Sequence, residues 1–191
     1  AHCNRIFNIG LNRAGTTSLT EALCLLGIRA VHHKHEGTRL YDIMRANMLA
    51  PRPLLHGLDM YDAFSDFAGR EYYKLLDRQY PYSKFILTTR ELESWLDSRE
   101  RKVAKNLASP DYHYSFRSVD RPGWTKNRAE YLANLDRYFA RRPGDFLVIR
   151  SSGSVGKRIE KVGDQSRLFL GGEAVSLLLN FGKSGHEGKI Q

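Results

Sequence analysis

The 191 residues are 41% hydrophobic and 27% charged, the balance of one globular domain large enough for a real core. Thirty Lys and Arg against 21 Asp and Glu leave a formal charge of +9, which favours an anionic partner such as nucleic acid, a membrane surface or a polyanionic cofactor. No apolar run approaches the roughly 20 residues of a membrane span, and no charged-then-apolar secretion signal opens the sequence.

Ile6, Phe7 and Ile9 predict a short strand. It runs into Gly10-Leu11-Asn12-Arg13-Ala14-Gly15-Thr16-Thr17-Ser18, after which Leu19, Ala22, Leu23 and Leu26 follow one helical face. Strand, glycine loop and helix start make an anion site, because the amides of a first helical turn are unpaired and carry partial positive charge. Gly10 and Gly15 are expected at positive φ, bringing loop amides toward the anion. Thr16, Thr17 and Ser18 add hydroxyl donors. The spacing nearly matches the nucleotide-binding pattern G-x-x-x-x-G-K-[ST], but Thr16 stands at the lysine position and the cation of the loop is Arg13. That counts against ATP chemistry, which needs the lysine on the β/γ-phosphates and the next hydroxyl on magnesium.

Cys3 and Cys24 make neither a disulfide framework nor a metal-site spacing, so a reducing, cytoplasmic setting is expected. Gly27 is the expected helix stop and Ile28 to Val31 the expected second strand. His32, His33, His35 and Glu36 stand at its end, where ligands gather in parallel α/β sheets. Histidines so close along an extended chain face different sides, so no zinc site is expected. The spacing of Leu40, Ile43, Met44 and Asn47/Met48 predicts a helix over 37–50, ended by Pro51-Arg52-Pro53. Leu54 to Leu58 reads as a third strand. Asp59 at its end is then a second carboxylate for acid/base work, or an N-cap.

A helix over 70–78 carries Tyr72, Tyr73, Leu75 and Leu76 toward the core. Phe85 to Thr89 reads as a buried central strand, and Leu92, Trp95, Leu96 and Arg99 begin a helix face. Arg90 stands at the strand exit and Ser98 follows eight residues later. Arginine grips a phosphate through two parallel hydrogen bonds, and a serine hydroxyl completes the shell. Two anion sites on one sheet edge imply a ligand with two phosphate groups. Beyond a helix ending near Lys105, the aromatic segment Ser109 to Phe116 is a candidate acceptor lid or surface packing. Trp124 to Arg141 reads as a helix with Tyr131, Leu132, Leu135, Tyr138 and Phe139 inward. Asp145 to Arg150 is the last strand, and a basic, glycine-bearing run follows from Ser151 to Arg158. A helix is expected over 173–181 and a flexible end over 182–189.

Asn12-Arg13-Ala14-Gly15-Thr16-Thr17-Ser18-Leu19 and Ile86-Leu87-Thr88-Thr89-Arg90-Glu91-Leu92-Glu93-Ser94-Trp95-Leu96-Asp97-Ser98 together resemble the two cofactor signatures of P-loop sulfotransferases. The resemblance covers about residues 4–150, with Glu91 where the family's R-D-L-E-S-W-like motif has aspartate. It implies a three-layer α/β/α fold around a mainly parallel sheet, and sulfuryl transfer from 3′-phosphoadenosine 5′-phosphosulfate (PAPS) to a hydroxyl or amine, leaving adenosine 3′,5′-bisphosphate. By that resemblance Asn12, Arg13, Ala14, Gly15, Thr16, Thr17 and Ser18 hold the 5′-phosphosulfate, with Arg13 in the place of the catalytic cation. Arg90 and Ser98 hold the 3′-phosphate, and the basic run after Ser151 loosely resembles the late loop that closes that site. No metal is expected. The general base is sought among His33, His35 and Glu36, then Asp59. Residues 1–150 would form the PAPS-binding part of the domain, and 151–191 a divergent, partly flexible end. The acceptor is left open among small molecules, glycans and lipids. An ATP-dependent phosphotransferase and a nucleic-acid binder are the alternatives, the latter opposed by scattered basic residues with no nucleic-acid module.

Overall fold

The computed structural model describes residues 5–151, 157–162, 165–170, 173–175, 179–181 and 188–190, with side chains described for 5–150. In chain order, Ile6–Asn8 is β1 and Thr16–Leu25 is α1. Ala30–His32, Lys34–His35 and Thr38–Arg39 are β2, β3 and β4, and Leu40–Leu49 is α2. Ala63–Ser65 is β5, Gly69–Gln79 α3, Lys84–Arg90 β6, Leu92–Leu107 α4 and Arg121–Phe139 α5. A 3₁₀ turn at Pro143–Asp145 leads into β7, Phe146–Ser151. The strands pair in the order β2-β5-β1-β6-β7, all parallel.

Alternation along these strands builds the layers. Phe7, Phe64, Phe85 and Leu87 pack on one face against Leu40 and Met44 of α2, Tyr72, Tyr73 and Leu76 of α3 and Tyr131, Leu135 and Phe139 of α5. Their neighbours Ile6, Ala63 and Ile86, with Ile149, pack on the other face against Leu19, Ala22 and Leu23 of α1. Helices thus cover both faces, as a parallel sheet requires. Phe7, Phe64 and Phe85 are at most 1% exposed, and burial of such a side chain contributes roughly 1.5–3 kcal/mol.

Several sequence expectations are corrected. The second strand begins at Ala30 rather than Ile28, because the amides of Gly27 and Ile28 turn back onto Cys24 O and Leu23 O at 2.9 and 3.0 Å and close α1. Residues 37–39 are not helical: β3 and β4 form a hairpin, Lys34 opposite Arg39, whose two-residue loop Glu36-Gly37 has φ of 47° and 82°, the signature of a tight primed turn. Leu54 to Leu58 is a turn rather than a strand. Its amides bond within the turn and to Gln79 Oε1 and Tyr80 OH, each at 2.9 Å, so its three buried leucines are pegs into the core. The strand of this region is Ala63–Ser65.

Past β7, β8 (Lys157–Val162), β9 (Gln165–Leu170) and β10 (Glu173–Val175) form an antiparallel sheet, and β11 (Leu179–Phe181) pairs with β12 (Gly188–Ile190). At the described residues these pairings stand in place of the helix expected over 173–181: Glu173 to Val175 pair with Leu170 to Leu168, and Leu179 to Phe181 with Ile190 to Gly188. Of the flexible run expected over 182–189, residues 182–187 lie outside the described residues while Gly188 and Lys189 belong to β12; most of the basic run after Ser151 also lies outside the described residues.

Candidate active site

The glycine loop leaves the carboxyl end of β1 and enters α1. Gly15, the residue before the first helical turn, has φ 93° and no side chain caps the turn behind it, which leaves first-turn amides of α1 open to an anion. Gly10 does something different from expectation. Its φ is not positive; instead a Cβ there would stand 2.0 Å from Thr88 Oγ1 and 2.6 Å from Thr88 O, so only glycine lets the loop cross β6. Asn8 Oδ1 secures that crossing, accepting from Gly10 N and Thr88 Oγ1, both at 3.1 Å. Tyr131 OH donates to Ile9 O at 2.7 Å from α5.

Arg13 is exposed at φ 67°, and its Nε donates to Ser98 Oγ at 3.1 Å across 85 residues of sequence. Ser98 is itself buried, so this contact helps to join the two sequence motifs. Arg90 leaves the end of β6, donates from Nε to Ser94 Oγ at 2.8 Å, and has its backbone oxygen held by Arg128 Nη2 at 2.7 Å. Burial first, then the charges of Arg101 and Arg13, lower the pKa of Arg90, with Asp97 and Glu91 opposing. A guanidinium whose pKa is lowered by its neighbours' like charge gains from an anion. Glu91 caps α4, its carboxylate accepting from the amides of Glu93 and Ser94 at 3.0 and 2.8 Å. Aspartate does the same work, which accounts for the departure from the family pattern.

Beside the loop, at the carboxyl ends of β2 and β5, lie His32, His33 and Asp66. His32 Nε2 stands 3.2 Å from Thr16 Oγ1 and 3.3 Å from Thr17 Oγ1. Burial pushes its pKa down, against the pull of Asp66. His33 Nδ1 is 3.3 Å from Asp66 Oδ2. Burial opposes the ionisation of Asp66, but the hydrogen bond from His33 and the charges of His32, His33 and Arg13 outweigh it and hold the carboxyl below its ordinary range. Arg13, His33 and Asp66 all have positive φ, a costly backbone conformation for such residues that concentrates at functional positions.

A family model described as Sulfotransferase domain matches residues 5–147. The chain belongs to the sulfotransferase domain family. No curated protein matches it. The match spans both motifs and ends within β7, and it makes the chain a transferase acting on an acceptor substrate.

Within this sulfotransferase domain, Arg13, Ala14, Gly15, Thr16, Thr17, Ser18, Arg90 and Ser98 lie on one sheet edge, with His33. Three other candidates do not join them in the same way. His35 sits in the hairpin with Nδ1 2.9 Å from Tyr61 OH, and Glu36 is 84% exposed at the turn. Asp59 precedes β5 by several residues and is exposed on the amino-terminal side of the sheet, because the strand that was to carry it to the ligand edge is a turn. Sequence reasoning missed Asp66, Arg101 and Arg128, and it placed His32 at the ligand edge without giving it a role. The signal for Asp66, a carboxylate just after the strand Ala63-Phe64-Ser65, was hidden by the shortness of β5. Among the described residues, no helix is long and apolar enough to cross a membrane, and no group of three or more His, Cys, Asp or Glu side chains is arranged to hold a metal ion.

Proposed function

We propose that this sulfotransferase domain transfers the sulfuryl group of PAPS to an acceptor hydroxyl or amine. One observation carries the reading: the open N-terminus of α1, Arg13 with its bond to Ser98, and Arg90 with Arg101 beside it gather anion-binding groups along one sheet edge, as a nucleotide with 5′ and 3′ phosphates requires. The residues fit such a group. The loop is open to the backbone only because Gly10 lacks a Cβ, and Thr16 at the lysine position is buried with its hydroxyl on His32, which speaks for a role other than ATP chemistry.

Asn12 through Ser18 would hold the 5′ end, with Arg13 neutralising charge that develops on the leaving phosphate; Arg90 and Ser98 would hold the 3′-phosphate. PAPS supplies an activated sulfuryl group on a phosphate leaving group. His33 is the proposed proton acceptor. A proton on Nδ1, donated to Asp66, leaves the Nε2 lone pair free to take the proton of the acceptor hydroxyl. Asp66 thereby fixes the ring and its tautomer.

The test is calorimetric titration with adenosine 3′,5′-bisphosphate, with ATP and AMP as controls, with and without magnesium. Tight binding that needs the 3′-phosphate and ignores magnesium supports the reading and opens an acceptor screen with PAPS. Preference for ATP with magnesium would favour a phosphotransferase instead. In that screen, Arg13→Ala is expected to lower turnover more than nucleotide affinity, since its contact tightens as charge develops; equal losses would contradict that role.

A further inference from the structure

Arg99 carries its charge into an aromatic box. Its guanidinium carbon lies 4.8 Å from the centre of a Trp95 ring, 4.5 Å from Phe116 and 4.4 Å from a Trp124 ring. Nη1 donates to Asn12 Oδ1, and Nε is buried without a hydrogen-bond partner. Among the described residues it forms no ion pair; burial and the like charge of Arg70 push its pKa down to about 10. Such a cation is unfavourable to a fold that supplies no counter-charge.

What Arg99 touches explains its place. Asn12 is held at both polar ends from α4: Trp95 Nε1 donates to its backbone oxygen at 3.0 Å and Arg99 donates to its side-chain oxygen. The next residue, Arg13, has φ 67° and reaches Ser98, also on α4. One helix therefore grips the loop at two successive residues, and the left-handed turn at Arg13 follows directly after the clamped one.

We propose that Arg99 is a positioning residue, which through Asn12 presets the loop so that Arg13 meets an anionic nucleotide. The charge of that nucleotide in turn offsets the unpaired guanidinium. The inference rests on the nucleotide reading above.

The experiment measures affinity for adenosine 3′,5′-bisphosphate and the nucleotide-free Tm of the full chain and of Arg99→Met, Arg99→Lys, Asn12→Ala and the Arg99→Met/Asn12→Ala pair. Arg99→Met is expected to keep or raise Tm, because methionine fills the box without a charge, while affinity falls roughly tenfold. Arg99→Lys should recover most of that loss. Asn12→Ala should lose about as much as Arg99→Met, and the pair little more than either. A merely structural arginine would lower Tm and leave affinity alone, and that result overturns the proposal, as does full additivity in the pair. Should Arg99→Met fail to fold, unchanged affinity in both Arg99→Lys and Asn12→Ala overturns it. A wild-type chain that does not bind the nucleotide overturns the nucleotide reading and this inference with it; a wild type that binds, with variants unaltered, overturns this inference alone.

Discussion

Arg90 is held on two sides, by Ser94 at its Nε and by Arg128 at its backbone oxygen, while other guanidinium groups press on it. A side chain so fixed loses little entropy when it grips a phosphate. Arg90→Ala is therefore expected to weaken binding of adenosine 3′,5′-bisphosphate by roughly 1.5–3 kcal/mol, the scale of a charged hydrogen bond; calorimetry showing an unchanged dissociation constant would remove Arg90 from the site. His33 and Asp66 call for a different readout. His33→Gln and Asp66→Asn should each lower turnover by roughly 10²-fold or more, the scale of general-base catalysis, with nucleotide affinity nearly kept, since their role is toward the acceptor proton. Loss of affinity with turnover preserved would place the pair on the nucleotide instead. Arg13, Arg90 and Ser98 were legible in the sequence because each stands at a fixed offset from a strand end within one motif. Asp66 and the role of His32 were not, because their meaning comes from β2, β5 and the loop meeting in space: nothing local marks a histidine whose ring serves two threonine hydroxyls contributed by another element.

At the scale of elements, the two loop glycines are required for different reasons and should respond differently. Gly15 needs its left-handed φ of 93°, whereas Gly10 needs the absence of a Cβ against β6. The Thr88 hydroxyl can swing aside but Thr88 O belongs to the sheet, so Gly10→Ala forces the loop off β6. It is expected to lower stability by roughly 1–3 kcal/mol, the range for an overpacked core. Gly27→Ala, at φ 84° with nothing within 4 Å, should cost about 1 kcal/mol from backbone strain alone. Thermal melts that rank the two the other way would refute the close-approach argument. At the head of α4, Glu91→Asp should leave Tm nearly unchanged and Glu91→Ala should lower it, because the cap needs only a carboxylate. The long, strongly patterned elements α3, β6, α4 and α5 were readable from spacing. The apolar run Leu54 to Leu58 misled because three leucines look alike whether they line a strand or peg a turn, and only the bonds from Gln79, Tyr80 and Asn47 decide. The three-residue β5 was too short to show a period at all.

Across the whole molecule the formal charge is +9, yet much of the tertiary framework rests on carboxylates that fill fixed positions among arginines. Asp77 of α3 shows the principle. It accepts from Tyr138 OH at 2.7 Å on α5 and from Arg142 Nη1 and Nη2 at 3.0 and 2.6 Å, and its side chain is only 12% exposed. Asp145 continues the link, 3.9 Å from Arg142 and 2.5 Å from Lys84 at the start of β6, so α3, α5, the 3₁₀ turn and the sheet are tied by one chain of charges. Burial alone would raise the Asp77 pKa, but the bonds from Arg142 and Tyr138 prevail and hold it below the ordinary value. Asp42, Asp62 and Asp66 are shifted in the same direction. A carboxylate whose folded pKa lies below its unfolded one binds fewer protons in the folded state, so its stabilisation is complete above the unfolded value and disappears as pH falls through the folded one. The fold should accordingly hold its stability down to about pH 5 and lose it progressively below about pH 4. Asp77→Asn tests how much of that loss belongs to one site: at pH 7 it should cost roughly 1.5–3 kcal/mol, and its Tm should then fall less steeply with acid than that of the wild type. A variant with the wild-type acid slope would show that the Asp77 cluster does not take part in the pH dependence and that the loss belongs to other carboxylates, Asp66 beside the nucleotide loop among them.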